Sequence, residues 1–314
     1  MSASEAEGYV PRRQPRHEMR ELRGIEHRFT RWDATGTSAE ASRSAAGNAT
    51  PHAPPIVLLH GWMDTGDTFQ FLVDALDDRQ AFVAPDWRGF GGSSWEAHGY
   101  WFPNYLADLE AMLDFLAPQA PATIVGHSMG ANVASLYAGL RPERIARLVN
   151  IEGFGLPRTA PERAPERYRE WLDQLKAPPG FAAYANLAQL AGFLAKRNPR
   201  LTPARAAFIA SAWTGEDRDG QRAIRSDPRH KLVNPVLYRR EEAEACWGRI
   251  AAPMLMLLAE HSEFLGRLGP DGEVERLRAV FRTARVERVA GVGHMMHHER
   301  PEEVARLIEA FLSS

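Results

Sequence analysis

Five residues limit the architecture of this chain more than any others: Gly126-His127-Ser128-Met129-Gly130. The apolar run Thr123-Ile124-Val125 precedes them and the helical pattern Ala131-Asn132-Val133-Ala134-Ser135-Leu136-Tyr137 follows. G-x-S-x-G between a strand and a helix predicts a sharp turn that lifts a serine hydroxyl clear of a sheet, with glycines where strand and helix must approach closely. The helix N-terminus then points free N–H groups and the positive end of its dipole at any negative charge developing beside that hydroxyl. A serine that merely caps a helix would leave both flanking glycines without a reason.

The rest of the chain supplies the sheet that such a corner needs. Short apolar runs recur at Ile56-Val57-Leu58-Leu59, Ala81-Phe82-Val83-Ala84, Leu148-Val149-Asn150-Ile151, Met254-Leu255-Met256-Leu257-Leu258 and Arg285-Val286-Glu287-Arg288-Val289. Continuous apolar strands suit a parallel sheet covered on both faces. Apolar spacing predicts helices near 67–77, 103–116, 129–141 and 301–312. An alternating segment, Ile25 to Trp32, reads as a half-buried antiparallel strand, after a loose lead-in over 1–17. The Ala-, Ser-, Gly- and Thr-rich stretch from Ala34 to Pro54 reads as an exposed, poorly ordered insertion between strands. Between 153 and 250 helical patterns (161–176, 180–197, 203–213, 237–249) occur without a clear strand, as expected of a helical cap over the strand ends. The division predicted is therefore a core of 18–152 with 251–314, and a cap of 153–250.

Composition excludes several classes. A net charge of -2 over 314 residues offers no general attraction to nucleic acid or to an anionic membrane, and no run approaches a spanning helix. The polar, basic start lacks the apolar core of a secretory signal, so a cytoplasmic location is expected. One cysteine, Cys246, cannot form an internal disulfide, and it reads as buried, not reactive. The 11 histidines show no H-E-x-x-H or other ligand spacing, so neither a metal nor a cofactor is expected. The expected partner is a small-molecule substrate.

Four segments, in order, carry a resemblance: His60-Gly61-Trp62-Met63-Asp64, Asp86-Trp87-Arg88-Gly89-Phe90-Gly91-Gly92-Ser93, the serine corner, and Gly291-Val292-Gly293-His294. Together they resemble the α/β-hydrolase family over about 18–314, and more loosely its serine-hydrolase-like branch. The resemblance implies a mostly parallel eight-stranded sheet with helices on both faces and an inserted helical cap. It implies Ser128 as nucleophile, His294 as general base, and the backbone N–H groups of Met129 and Trp62 as oxyanion donors. Trp62, Phe154 and His127 are expected at the substrate pocket. His297 and His298 read as a surface or supporting pair, and His60 and Asp86 as structural loop residues.

The acid is the point of departure. The family places an Asp a few residues beyond strand 254–258, where this chain reads Ala259-Glu260-His261-Ser262-Glu263. Ser262 stands at the aligned position, and a hydroxyl cannot balance an imidazolium charge. Glu152, at the end of the strand after the nucleophile helix, is the favoured replacement, because a carboxylate on an apolar strand end is costly to bury without a partner. Certain haloalkane dehalogenases carry their acid there. Glu263 and Glu260 are the alternatives. Serine at the elbow argues against dehalogenase and epoxide-hydrolase activity, which use aspartate there. The expected reaction is ester hydrolysis through an acyl-enzyme. Thioester or carbon–carbon bond hydrolysis, and a ligand-binding member with an impaired triad, are the rivals. The basic cluster Asp227-Pro228-Arg229-His230-Lys231 reads as a solvated surface, with contact to an acidic substrate group as the alternative.

Overall fold

The computed structural model describes residues 8–35, 54–97, 99–216 and 222–314. The expected 34–54 insertion lies, apart from its ends, outside them. Strands β1 (Arg16–Leu22) and β2 (Ile25–Trp32) form a hairpin. Its two-residue turn, Arg23-Gly24, has φ of 55° and 72°, the doubly left-handed geometry that matches strand twist. There follow β3 (Ile56–Leu59), α1 (Gln70–Ala75), β4 (Phe82–Pro85), α2 (Phe102–Leu116), β5 (Ala122–His127), α3 (Met129–Leu140) and β6 (Ile145–Ile151).

After β6 come α4 (Ala164–Lys176), α5 (Leu187–Arg197), α6 (Pro203–Ala212), β7 (Thr214–Glu216), β8 (Arg222–Ile224) and α7 (Arg240–Trp247). The chain returns to the sheet with β9 (Met254–Ala259), α8 (Val274–Val280), β10 (Ala284–Val289), α9 (Met296–Glu299) and α10 (Pro301–Leu312). The main sheet has eight strands in the order β1-β2-β4-β3-β5-β6-β9-β10. β1–β2 and β2–β4 pair antiparallel, and every pair from β4 to β10 is parallel.

Side chains alternate across this sheet with period two, and both faces of the central strands are buried. In β9, Met254, Met256 and Leu258 join one core cluster while Leu255, Leu257 and Ala259 join the other. The first cluster receives Leu109 and Leu113 of α2, Val133 and Tyr137 of α3, Trp247 of α7 and Leu277 of α8. The second receives Leu72 and Val73 of α1 and Val304 and Ile308 of α10. Truncating a fully buried strand leucine such as Leu257 to alanine costs about 2–5 kcal/mol through lost transfer energy and the void left behind.

Two regions depart from expectation. Residues 8–17 are tied down, not loose: Tyr9 Oη donates to Asp74 Oδ2 (2.7 Å), the Arg13 backbone N–H to Asp74 Oδ1 (2.9 Å), and the buried Arg13 guanidinium to the Asp33 and Gln80 carbonyls (2.6 and 2.9 Å). The 153–250 segment is not purely helical, since β7 and β8 form a small antiparallel hairpin within it. Leu190 and Leu194 of α5 and Ala206 and Ile209 of α6 pack on Phe71 of α1, while α4 contributes no buried residue. The 227–231 cluster is folded inward. Asp227 is buried and accepts from Tyr100 Oη (2.8 Å), and the His230 ring stacks between Phe90 (3.7 Å) and Tyr100 (3.6 Å). Burial in that sandwich pushes the His230 imidazole down to about 3. Its aromatic neighbours lie far off in sequence, so the basic run alone does not disclose them.

Candidate active site

Ser128 occupies the corner between β5 and α3 with φ 49° and ψ -112°, a conformation that L-residues rarely adopt. Two contacts fix it there. Its N–H donates to the Ile151 carbonyl of β6 (2.8 Å), and its own carbonyl accepts from the Asn132 N–H of α3 (2.9 Å). The glycines are dictated by packing. A Cβ on Gly130 would lie 2.2 Å from the Leu59 carbonyl oxygen, and one on Gly126 would lie 2.6 Å from Ala131 Cα. Either would push α3 off the sheet and take the serine with it. Among the described residues the non-glycine positive φ values fall at Arg23, Met63, Ser128 and Glu152, and the last three sit just beyond β3, β5 and β6. Local strain is thus gathered at neighbouring strand ends, as is common where geometry is held for a purpose.

Glu152 (φ 59°) follows β6 directly, and β6 lies between β5 and β9. The buried Asn150 shapes its turn: Asn150 Oδ1 accepts from the Gly153 N–H (2.8 Å), and Asn150 Nδ2 donates to the Gly153 carbonyl (2.7 Å) and to Ser135 Oγ (2.9 Å). The Glu152 carboxylate is enclosed. Oε1 accepts from the Ala259 N–H (2.7 Å); Oε2 accepts from Ser262 Oγ (2.5 Å) and faces His294 Nδ1 at 3.1 Å. The alternative acids point elsewhere. Glu260 accepts from the Gly291 N–H (2.7 Å), and Glu263 pairs with Arg267 (3.6 Å) on the surface. Ser262, at the aligned aspartate position, is a donor to the carboxylate on the adjacent strand.

The loop between β10 and α9 brings in His294. Its Nδ1 faces the Glu152 carboxylate, and a proton held there on a neutral ring would leave Nε2 free to accept one. The ring lies against Phe264 (4.4 Å) and His127 (4.8 Å), and the His294 carbonyl accepts from His127 Nε2 (3.0 Å). His127 is therefore buried behind the corner and does not line a pocket wall; burial holds its imidazole far below the usual histidine range. Phe154 also leaves the expected pocket, because it is 3% exposed within the first core cluster. Trp62 is half exposed on the loop after β3, where a Cβ on the neighbouring Gly61 would lie 3.2 Å from Ser128 Cβ. Met129 is the first residue of α3, and such a position has no intrahelical acceptor for its N–H.

His60 and Asp86 brace the surrounding loops. His60 Nε2 accepts from the Trp87 N–H (3.0 Å), and Asp86 accepts from the Gly66 and Gly92 N–H groups (2.7 and 2.8 Å). His297 and His298 are buried, not superficial, because α9 turns them under the sheet ends toward Phe69, Phe71 and Asp64. Phe264 and Glu299 were not singled out from the sequence, and Ser262 was noted there as the residue at the aligned acid position, not as a hydrogen-bond donor. Glu299 accepts from the Gly293 N–H (2.7 Å) and from Asn198 Nδ2 (2.9 Å), so it joins the His294 loop to the segment between β6 and β9. No motif marks Phe264 or Glu299; each has a partner remote in sequence, His294 and Asn198 respectively.

Known proteins share this arrangement of elements. A family model described as the α/β-hydrolase fold matches residues 54–301. The serine hydrolase-like protein of Danio rerio is 29% identical over 276 residues, covering 83% of this chain and 82% of its own. Esterase YbfF of Escherichia coli is 27% identical over 266 residues, covering 82% and 93%. The crystal structure of a hypothetical protein from Pseudomonas aeruginosa superimposes with a TM-score of 0.77 at 25% identity, covering 95% of this chain and 99% of that one. With a matching family model over most of its length and an eight-stranded sheet of the same kind, this chain belongs to the α/β-hydrolase family, in its serine-hydrolase-like branch.

Proposed function

We propose that the chain is a serine hydrolase that cleaves a carboxylic ester through an acyl-enzyme, with Ser128, His294 and Glu152 as its triad. One observation carries the reading. A buried carboxylate at the end of β6 meets the Nδ1 of His294 at 3.1 Å, and the His294 carbonyl is bonded to His127, the residue before the strained Ser128. A carboxylate on Nδ1 fixes the tautomer in which Nε2 can accept a proton, and it stabilises the imidazolium that results.

In the first half-reaction Ser128 Oγ bonds to the ester carbonyl carbon while its proton passes to His294 Nε2. The carbonyl oxygen takes the negative charge and is held by the N–H groups of Met129 and Trp62, reinforced by the N-terminal end of α3. The tetrahedral intermediate collapses, the carbon–oxygen bond to the alcohol breaks, and His294 delivers its proton to the departing oxygen. Water then repeats the sequence on the acyl-enzyme, giving the carboxylic acid and free Ser128. The segment 153–250 is the cap bounding the substrate, a role supported by its ties to the site: Trp213 Nε1 donates to Asp64 (2.8 Å) and Asn198 Nδ2 to Glu299 (2.9 Å). The Danio rerio and Escherichia coli relatives support hydrolysis, and an ester is favoured because a good leaving group makes the least demand on the rest of the site.

The test is p-nitrophenyl acetate hydrolysis by the wild type and Ser128→Ala, with a fluorophosphonate probe and peptide mapping. Turnover should vanish in the variant and the probe should label Ser128. Hydrolysis that survives the substitution, or labelling at another residue, ends this assignment.

A further inference from the structure

Behind the His294 loop lies a second buried cluster that the proposed hydrolysis does not use. Asp64, His297 and His298 are at most 2% exposed. Asp64 Oδ1 takes three donors: the Thr65 N–H (2.9 Å), Thr68 Oγ1 (2.8 Å) and Trp213 Nε1 (2.8 Å). Its other oxygen, Oδ2, accepts no hydrogen bond and faces His298 Nε2 at 3.6 Å. His298 Nε2 and both ring nitrogens of His297 are likewise buried and unbonded. One ligand atom from each of the three residues falls within 4.8 Å of the other two.

Buried polar atoms are bonded in almost every native structure, so several unbonded ones converging on one point call for something between them. A water could bond two or three of them. It would not answer the charge of Asp64, whose ion-pair contact among the described residues is His298 alone. We propose that Asp64, His297 and His298 form a buried structural site for a divalent transition-metal ion, zinc best matching two imidazoles and one carboxylate, with water in a fourth position.

The geometry fits a single ion once the side chains close on it. Ligand atoms 3.6 Å apart on one ion at about 2.1 Å subtend about 118°, close to tetrahedral. At a tetrahedral angle two such ligands lie about 3.4 Å apart, so a pair at the 4.8 Å limit would close by about 1.4 Å, through imidazole rotation and a small shift of the loop. The three bonds on Oδ1 supply the outer partners that orient a ligating carboxylate. Asp64 is on the loop that carries Trp62, and His297 and His298 follow His294 by a few residues. The ion would therefore clip the base's loop to the oxyanion loop. The site does not depend on the ester reading and can be tested without it.

The test uses the full-length chain without a histidine tag, stripped with EDTA and then titrated with zinc sulfate. Metal content after desalting and the melting temperature are the readouts, with tetrahedral Co2+ absorption as a check on geometry. The wild type should retain one zinc per chain, and its melting temperature should rise by about 5 °C at a hundredfold excess over Kd. Asp64→Asn and His298→Gln should lose both effects. His261→Gln, at an exposed histidine, and His294→Ala should keep them. No zinc retained by the wild type overturns the proposal, as does equal retention by His298→Gln, or loss on His294→Ala alone, which would put the ion at the serine site. Should Asp64→Asn fail to fold, His298→Gln decides the matter by itself.

Discussion

β6 and β9 run side by side and end at the same level, yet they finish with different chemistry. β6 ends in Glu152, whose backbone N–H donates to the Leu257 carbonyl of β9 (3.1 Å). Beyond β9 stands Ser262, whose hydroxyl reaches back to Glu152 at 2.5 Å. The family resemblance puts an acid after the second of these strands, and this chain puts its buried carboxylate after the first. Both strand ends open on one space in front of His294, so a carboxylate is needed at that point in space and not at one place in the sequence. Ser262, where the resemblance would put an acid, is that carboxylate's hydrogen-bond donor.

The largest effect should come from removing the charge at β6. In Glu152→Gln an amide replaces one carboxylate oxygen. If its NH2 faces His294, it donates to Nδ1 and moves the ring proton to Nε2, where it blocks proton acceptance from Ser128. If the amide flips, NH2 meets the Ala259 N–H, and two buried donors oppose each other. The opposed donors disfavour the flipped amide, so kcat for p-nitrophenyl acetate should fall by about 10^3–10^4, the scale of a triad with the wrong tautomer. Glu263→Gln should change kcat less than about twofold, as surface substitutions generally do little. A loss in Glu263→Gln with Glu152→Gln active would reverse the comparison between the two strand ends.

The next experiment moves the acid across. Glu152→Gln combined with Ser262→Asp should recover about 10- to 100-fold of the lost kcat, because Ser262 Oγ already lies 2.5 Å from the oxygen that faces His294. Ser262→Asp alone sets two carboxylates side by side, which disfavours ionisation of one and should lower the melting temperature at neutral pH. A double variant no more active than Glu152→Gln would show that the two strand ends are not interchangeable here.

How far the site can be read from sequence follows from where each partner sits. Ser128 and His294 lie in short glycine-marked segments, and both the strand-to-helix corner and the loop after the last strand can be read locally. Glu152 was legible through one argument, the cost of a carboxylate on an apolar strand end. Its three partners come from elsewhere in the chain, Ala259 from the end of β9 and Ser262 and His294 from loops beyond β9 and β10, so no local pattern discloses them. The strands of the core were legible because both faces are apolar. The inward fold of Asp227 and His230 was not, since it depends on Phe90 and Tyr100 across the loop after β4. Arg13 reads as part of a loose start, yet it is buried because carbonyls of Trp32, Asp33 and Gln80 converge on its guanidinium.

A smaller effect separates residues that react from those that position. His127 Nε2 holds the His294 carbonyl at 3.0 Å, so in the proposed mechanism it would place the loop and not exchange protons with substrate. His127→Ala should lower kcat by about 10- to 100-fold, as a base misplaced by a fraction of an ångström does, with KM little changed. His127→Gln keeps a donor of similar reach and should restore much of the loss. A purely packing role would make both variants equally poor and lower their melting temperatures alike.

Among the residues around Glu152 and His294, the least change is expected at Ser262. In Ser262→Ala, Glu152 keeps the Ala259 N–H and the His294 ring but loses one donor to its charged oxygen, while the Leu265 N–H loses its 3.1 Å acceptor. A hydrogen bond to a charged group contributes about 1.5–3 kcal/mol to stability, and part of that is recovered if water enters the space left by the hydroxyl. The melting temperature should drop by about 2–5 °C, and kcat should fall only about 3- to 10-fold, because the ring's orientation and the countercharge both remain. A loss comparable to that of Glu152→Gln would mean that the hydroxyl, and not the carboxylate, governs the imidazole. The acid would then have to be sought after β9.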